Sequence, residues 1–269
     1  MSEPRRRFAR TASPQRWAEY RELLEHALGR GYRVISLEDW VLGDHGGADR
    51  VFVIRHDVDQ QPRSALEMAS IEAEVGVTST WYFRWRTAAP VAIEELKSAG
   101  AEVGLHYETL TRFALHFGLS EPITEGPILG ECRLLLREEI SAFERRFGRA
   151  RSASAHGDSR VPAVHNSLLL DGEDPSAYGL EFDGSFALRR KRVAAWVTDR
   201  ASSRTWADGA DPVSLLVEGV SPILCLTHPN NWASGISLWA DRVAAAALPA
   251  PGGEGRARAL RTGDDAPPL

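Results

Sequence analysis

Short apolar runs of strand length alternate with amphipathic helical stretches along most of this 269-residue chain, and that alternation constrains the fold more than any other feature. Strands joined through helices run parallel, and a parallel sheet has to be covered on both faces. Pro14 to Arg30 reads as an amphipathic helix ending at Gly31, and Tyr32 to Leu37 as a strand, with a helical turn over Glu38 to Leu42. A strand at Val51 to Arg55, a helix from Pro62 to Val75, a strand from Thr78 to Arg84, a helix from Pro90 to Ser98 and a strand ending at His106 continue the pattern. Gly126 to Phe147 is the longest helical stretch and feeds a strand over 152–155. Weaker strands are expected at Gly179 to Phe182, Val193 to Thr198 and Pro222 to Thr227. This many repeats of the unit predict an α/β fold, a closed or nearly closed barrel.

Polar side chains collect where these strands run out. The run Val51-Phe-Val-Ile-Arg-His-Asp-Val-Asp59 passes from apolar residues straight into two carboxylates one residue apart. At strand spacing Asp57 and Asp59 project to one side, so that one can hold a metal while the other handles a proton. Two buried like charges are costly without a cation; the bland reading is that Arg55 and His56 merely neutralise the pair. Other strands end at His106, at His156-Gly157-Asp158 and at His228, which is followed by Pro229-Asn-Asn-Trp232. In parallel α/β folds that face carries the active site.

Composition removes several function classes. A formal net charge of −5 gives no electrostatic reason to expect a nucleic-acid partner, and lysine occurs only at positions 97 and 191. Cys132 and Cys225 are too few for a disulfide framework, so a reducing compartment is the expectation. The basic start, Met1-Ser-Glu-Pro-Arg-Arg-Arg, lacks the apolar run of a signal peptide, and no transmembrane segment is expected, which together point to the cytoplasm. Glycine-rich phosphate loops, a nucleophile elbow and dinucleotide fingerprints are absent from the sequence.

Four pieces together resemble the polysaccharide deacetylases, the NodB-homology or carbohydrate esterase 4 group: Arg55-His-Asp-Val-Asp59, Glu102-Val-Gly-Leu-His-Tyr-Glu108, His156-Gly157 and Leu226-Thr-His-Pro-Asn-Asn-Trp232. The resemblance implies a distorted (β/α) barrel of about seven parallel strands. The N-terminal helix, residues 1–30, would pack on the barrel, residues 31–248 would form it, and 249–269 would be a flexible tail. The group removes acetyl or formyl groups from amino sugars with zinc or a related divalent ion. By resemblance Asp57 is the base, Asp59 a metal ligand and His106 a second ligand, while His228 protonates the leaving amine.

The chain departs from the family at the second motif. Where a further histidine is usual, four residues after His106, it has Leu110, which binds no metal. A third ligand then comes from Glu108, His156 or His228; His156 is favoured because Gly157 lets the backbone turn sharply after it. Asp199 and Trp206 match, loosely, a family segment that positions the acid and walls the sugar. Arg84, Glu108 and Trp232 are further candidates for substrate contact, and Trp81 and Trp85 for stacking or core packing. The arginine that usually braces the base in the third motif has no clear counterpart. The expected partner is a small-molecule or carbohydrate substrate. Two other readings stay open: hydrolysis of another non-peptide C–N bond, allantoinase-like and without metal, and a non-catalytic carbohydrate-binding barrel.

Overall fold

A computed structural model describes residues 16–43, 50–185, 193–199, 206–207 and 211–233. Eight strands alternate with helices: β1 (Arg33–Ser36), β2 (Val51–Val58), β3 (Thr80–Phe83), β4 (Glu102–Tyr107), β5 (Ser152–Ala155), β6 (Phe182–Asp183), β7 (Ala195–Thr198) and β8 (Ile223–Thr227). Every pairing is parallel, in the order β6-β5-β4-β3-β2-β8-β7, and β1 pairs with the first half of β2. Seven strands thus curl into a distorted (β/α) barrel that is open between β6 and β7 among the described residues.

The helices are α1 (Trp17–Gly29), α2 (Leu37–Leu42), α3 (Pro62–Val75), α4 (Pro90–Ser98), α5 (Thr109–Phe117), α6 (Pro127–Phe147) and α7 (Pro212–Glu218). Their apolar stripes cover the outside of the sheet. Ala65, Met68 and Ile71 of α3 and Ile93 and Leu96 of α4 join Phe52, Ile54, Trp81 and Phe83 in the main core. The short helices α5 and α7 are additions to the sequence reading. β2 is longer than expected, so Asp57 lies inside the strand rather than past its end. The segment 234–269, which includes the tail expected at 249–269, lies outside the described residues.

β2 is buried along its whole length, and its two faces divide cleanly. Val51 and Val53 point into the barrel, in a cluster with Ile35, Tyr82, Phe182 and Leu224. Arg55 and Asp57 continue that inner face toward the mouth. On the outer face His56 bonds Glu72 Oε1 at 2.7 Å and Thr227 Oγ1 at 2.6 Å, and Glu72 also accepts from Tyr20 and Ser79 at 2.6 Å each. This network ties α1 and α3 to the sheet. His56 therefore has no part in neutralising the aspartates.

Inside the barrel Tyr82 lies between two glycines. A Cβ on Gly104 would meet the Ser152 carbonyl and the Tyr82 ring, and one on Gly184 would meet the Tyr82 hydroxyl. Glycine is required there by close approach. At the mouth Gln61, with φ 57° and ψ 74°, turns the chain from β2 into α3 just after Asp59.

Candidate metal and acid–base site

The inner-face residues at the C-terminal ends of β2, β4, β5 and β8 converge on one cavity of about 520 Å³. Asp57, Asp59, His106, His156 and His228 all line it, with Arg55 beneath them and Gly157, Pro162, Val164, His165 and Asn166 forming a wall. Among the lining residues there is no tryptophan, tyrosine or phenylalanine.

Asp59, His106 and His156 each offer a donor atom within 4.8 Å of the others. His106 Nε2 and His156 Nε2 both stand 3.5 Å from Asp59 Oδ1. These are long for hydrogen bonds but match two ligands on one ion: tetrahedral bonds of about 2.1 Å put neighbouring donors about 3.4 Å apart. Asp59 Oδ1 is buried with no hydrogen-bond partner. The tautomer of His106 suits the same purpose. Its Nδ1–H donates to the Ser154 carbonyl at 3.0 Å, which leaves the Nε2 lone pair facing Asp59. Burial pushes the His106 pKa down to about 4, so the ring is neutral at neutral pH. Burial alone would raise Asp59; the imidazoles of His156, His106 and His228 around it instead hold it well below the ordinary carboxylate range. One carboxylate and two imidazoles fit a divalent ion such as zinc.

Asp57 has a different environment. Arg55, two residues earlier on the same face, reaches it with both arms: Nε–H donates to Oδ1 at 2.8 Å and Nη2–H to Oδ2 at 2.7 Å. Its third arm, Nη1, donates to the Gly184 carbonyl at 2.6 Å. Both side chains are buried. Burial alone would raise the Asp57 pKa, but Arg55 overrides it and holds the carboxyl below its ordinary value. Asp57 is therefore ionised, with Oδ2 3.3 Å from His106 Nε2. Arg55 grips Asp57 from within the first motif, so the expected neutralising pair stands beside the donor cluster rather than in place of it.

His228 follows β8 directly. Its Nδ1–H donates to Asp199 Oδ1 at 2.7 Å, and its backbone N–H donates to Oδ2 of the same carboxylate at 3.0 Å. Trp232 Nε1–H also donates to Oδ2, at 2.8 Å. Nε2 is left facing the cavity, 3.8 Å from Asp59 Oδ2. Burial by itself would lower the His228 pKa, but the hydrogen bond and charge of Asp199 raise it to about 9. The ring is an imidazolium at neutral pH, as an acid needs. Asp199→Asn should bring it back toward the ordinary value of about 6.5. A general acid works protonated, so with His228 in that role the alkaline limb of the rate profile should then move down in pH by about one unit or more. A pH–rate series on the variant checks this; a limb that stays in place removes Asp199 from that role.

The other expected contacts fall elsewhere. Trp232 is only 2% exposed and packs on Tyr20 and Trp206, so it supports Asp199 rather than walling the cavity. Trp206 lines a separate concavity with Arg16, His26 and Val213 on the outside of the barrel. Trp81 is in the outer core, and Trp85 packs on Phe143 and Phe147. Arg84 and Glu108 are buried and form an ion pair with each other. Leu110 is fully buried in the core.

No family model matches this chain, and no curated protein matches it. Among solved structures, a family 4 carbohydrate esterase from Streptomyces lividans in complex with acetate is 17% identical over 72% of this chain and 84% of that one, with a TM-score of 0.38. A CE4 family pseudoenzyme from Bacillus anthracis is 12% identical over 66% of this chain and 54% of that one, with a TM-score of 0.38. The CE4 domain of a multidomain xylanase from the hindgut metagenome of Trinervitermes trinervoides is 10% identical over 65% and 72%, with a TM-score of 0.36. The matched part spans about half the length of the Bacillus anthracis chain.

Proposed function

We propose that this protein is a divalent-metal hydrolase that removes an N-acyl group, acetyl or formyl, from an amino sugar or a sugar-containing small molecule. The observation that carries the reading is the grouping of Asp59 Oδ1, His106 Nε2 and His156 Nε2, each imidazole 3.5 Å from a carboxylate oxygen that has no hydrogen-bond partner. A divalent ion, most simply Zn²⁺, lowers the pKa of a water and polarises the acyl oxygen. Asp57 takes the proton of the attacking water, and His228 gives its Nε2 proton to the leaving amine as the C–N bond breaks. The motif resemblance supplies the substrate class, and a cavity of about 520 Å³ suits a small molecule or a short carbohydrate. No helix among the described residues is long and apolar enough to cross a membrane.

Elemental analysis of the purified protein, followed by a screen of N-acetylated sugars and glycosides with metal restored, tests the reading. One equivalent of metal is expected in the parent, and Asp59→Ala, His106→Ala and His156→Ala should each lose it. Full occupancy in Asp59→Ala and His106→Ala would remove the ligand assignment. Activity of a metal-free parent on another C–N bond would replace this reading with an allantoinase-like one.

A further inference from the structure

Asn166 opens the first short turn after β5 and is 1% exposed. Its side chain makes four hydrogen bonds. Oδ1 accepts from the backbone N–H of Leu110 at 2.9 Å and of Thr111 at 3.1 Å, the free amides at the start of α5. Nδ2 donates to Thr111 Oγ1 at 3.0 Å and to the carbonyl oxygen of His156 at 2.7 Å. Glu108, the residue in the N-cap position of α5, makes no side-chain cap. The helix is therefore capped from more than fifty residues away.

His156 is a ligand on a short tether. It lies one residue past β5, its own N–H donates to the Tyr107 carbonyl at 3.0 Å, and the chain then leaves the sheet through exposed Gly157. His106, by contrast, sits inside β4, in register with Ser154 of β5. Beyond the Tyr107 bond, the contact that fixes the His156 backbone is the one from Asn166 Nδ2.

We infer that Asn166 is the positioning residue of the metal centre. By clamping the His156 carbonyl to the start of α5 it aims the third donor at Asp59 and His106. The inference rests on the ligand set proposed above. It gives α5 a part in the site although Leu110 brings no donor: the helix contributes its amide ends as an anchor. Outer-shell groups that hold a ligand typically affect metal affinity ten- to hundredfold.

Zinc affinity of the metal-free full chain, measured against a competing chelator, separates this role from helix capping. Asn166→Asp keeps an oxygen for the Leu110 and Thr111 amides but has no N–H for His156 and sets a negative oxygen against its carbonyl. It should weaken zinc binding about ten- to hundredfold, measured on a metal-free chain that its melting transition shows to be folded. Asn166→Ser, a shorter cap that does not reach His156, should do the same and takes its place if the Asp variant does not fold. Thr111→Val leaves the His156 bond in place and should bind zinc as the parent does. Parental affinity in Asn166→Asp, or an equal loss in Thr111→Val, would overturn the inference and leave the ligand set standing. A parent chain that takes up no zinc would overturn the ligand set and this inference together.

Discussion

Replacing Asp57 by asparagine is expected to lower turnover by about 10² to 10⁴ on any substrate the parent cleaves, with metal content unchanged. The expectation follows from the division of labour between two carboxylates one residue apart. Asp59 has a buried oxygen with no partner, whereas both oxygens of Asp57 already accept from Arg55. A carboxylate held in that grip still has a lone pair on each oxygen with which to take a proton. Its depressed pKa keeps it ionised well below neutral pH, so the parent should retain activity far into the acid range, and the acid limb should vanish in the variant. The substituted amide would leave Arg55 with one neutral acceptor instead of an anion, so a stability loss of about 1–3 kcal/mol should accompany the change. Near-parental turnover in Asp57→Asn, or a loss of activity matched by loss of metal, would defeat the assignment.

Arg55→Met should cost more stability than any surface change, about 3–5 kcal/mol by urea titration at pH 7. It strands a carboxylate that is 4% exposed and also takes the donor from the Gly184 carbonyl. The pH dependence has a definite sign. In the parent the folded pKa of Asp57 is depressed, so its contribution is present above the unfolded value of about 3.9 and is lost as pH falls through the folded one. In the variant burial acts unopposed by the guanidinium, and the folded pKa rises above the unfolded value. The stability gap to the parent should then narrow between pH 7 and pH 5, and the acid limb of activity should shift up. Arg55→Lys keeps the charge but not the fork, and should recover only part of both. Equal urea midpoints for parent and Arg55→Met across this pH range would show that Asp57 does not depend on the brace.

What could be read from the residues alone was the set of strand ends. Each of β2, β4 and β8 is an apolar run that stops at a charged or ring side chain, a local pattern that survives folding unchanged. The substitution of Leu110 for a donor was equally visible. Which face of a strand a residue occupies was harder, because β2 is buried on both faces and its composition does not alternate. Arg55 and His56 therefore looked alike as neutralisers, although one faces the barrel and the other the helices. For the same reason the tryptophans could not be placed: an aromatic at a strand end suits either face, and of the two readings open for Trp81 and Trp85 the structure shows core packing. Helix α5 was missed because its cap is Asn166, beyond the range of any local pattern. Helix α7 did carry a readable start, Asp211 before Pro212, whose side chain accepts from Val213 and Ser214.

The pairing of β2 with β8 brings together residues as distant as His56 and Thr227, 171 positions apart. Everything proposed to hold the metal or take a proton lies in the first 156 residues, while His228 and Asp199 come from the last two strands. Loop closure of that span is among the most costly entropic steps in forming the sheet, and non-local parallel pairing is slow. The donor cluster and the base can therefore assemble on a half-built sheet, whereas the acid arrives only with the strand that completes it. On the proposed roles, hydrolysis would in this sense report finished folding: a chain that has not yet paired β8 with β2 would have a place for the ion but nothing to protonate the leaving group.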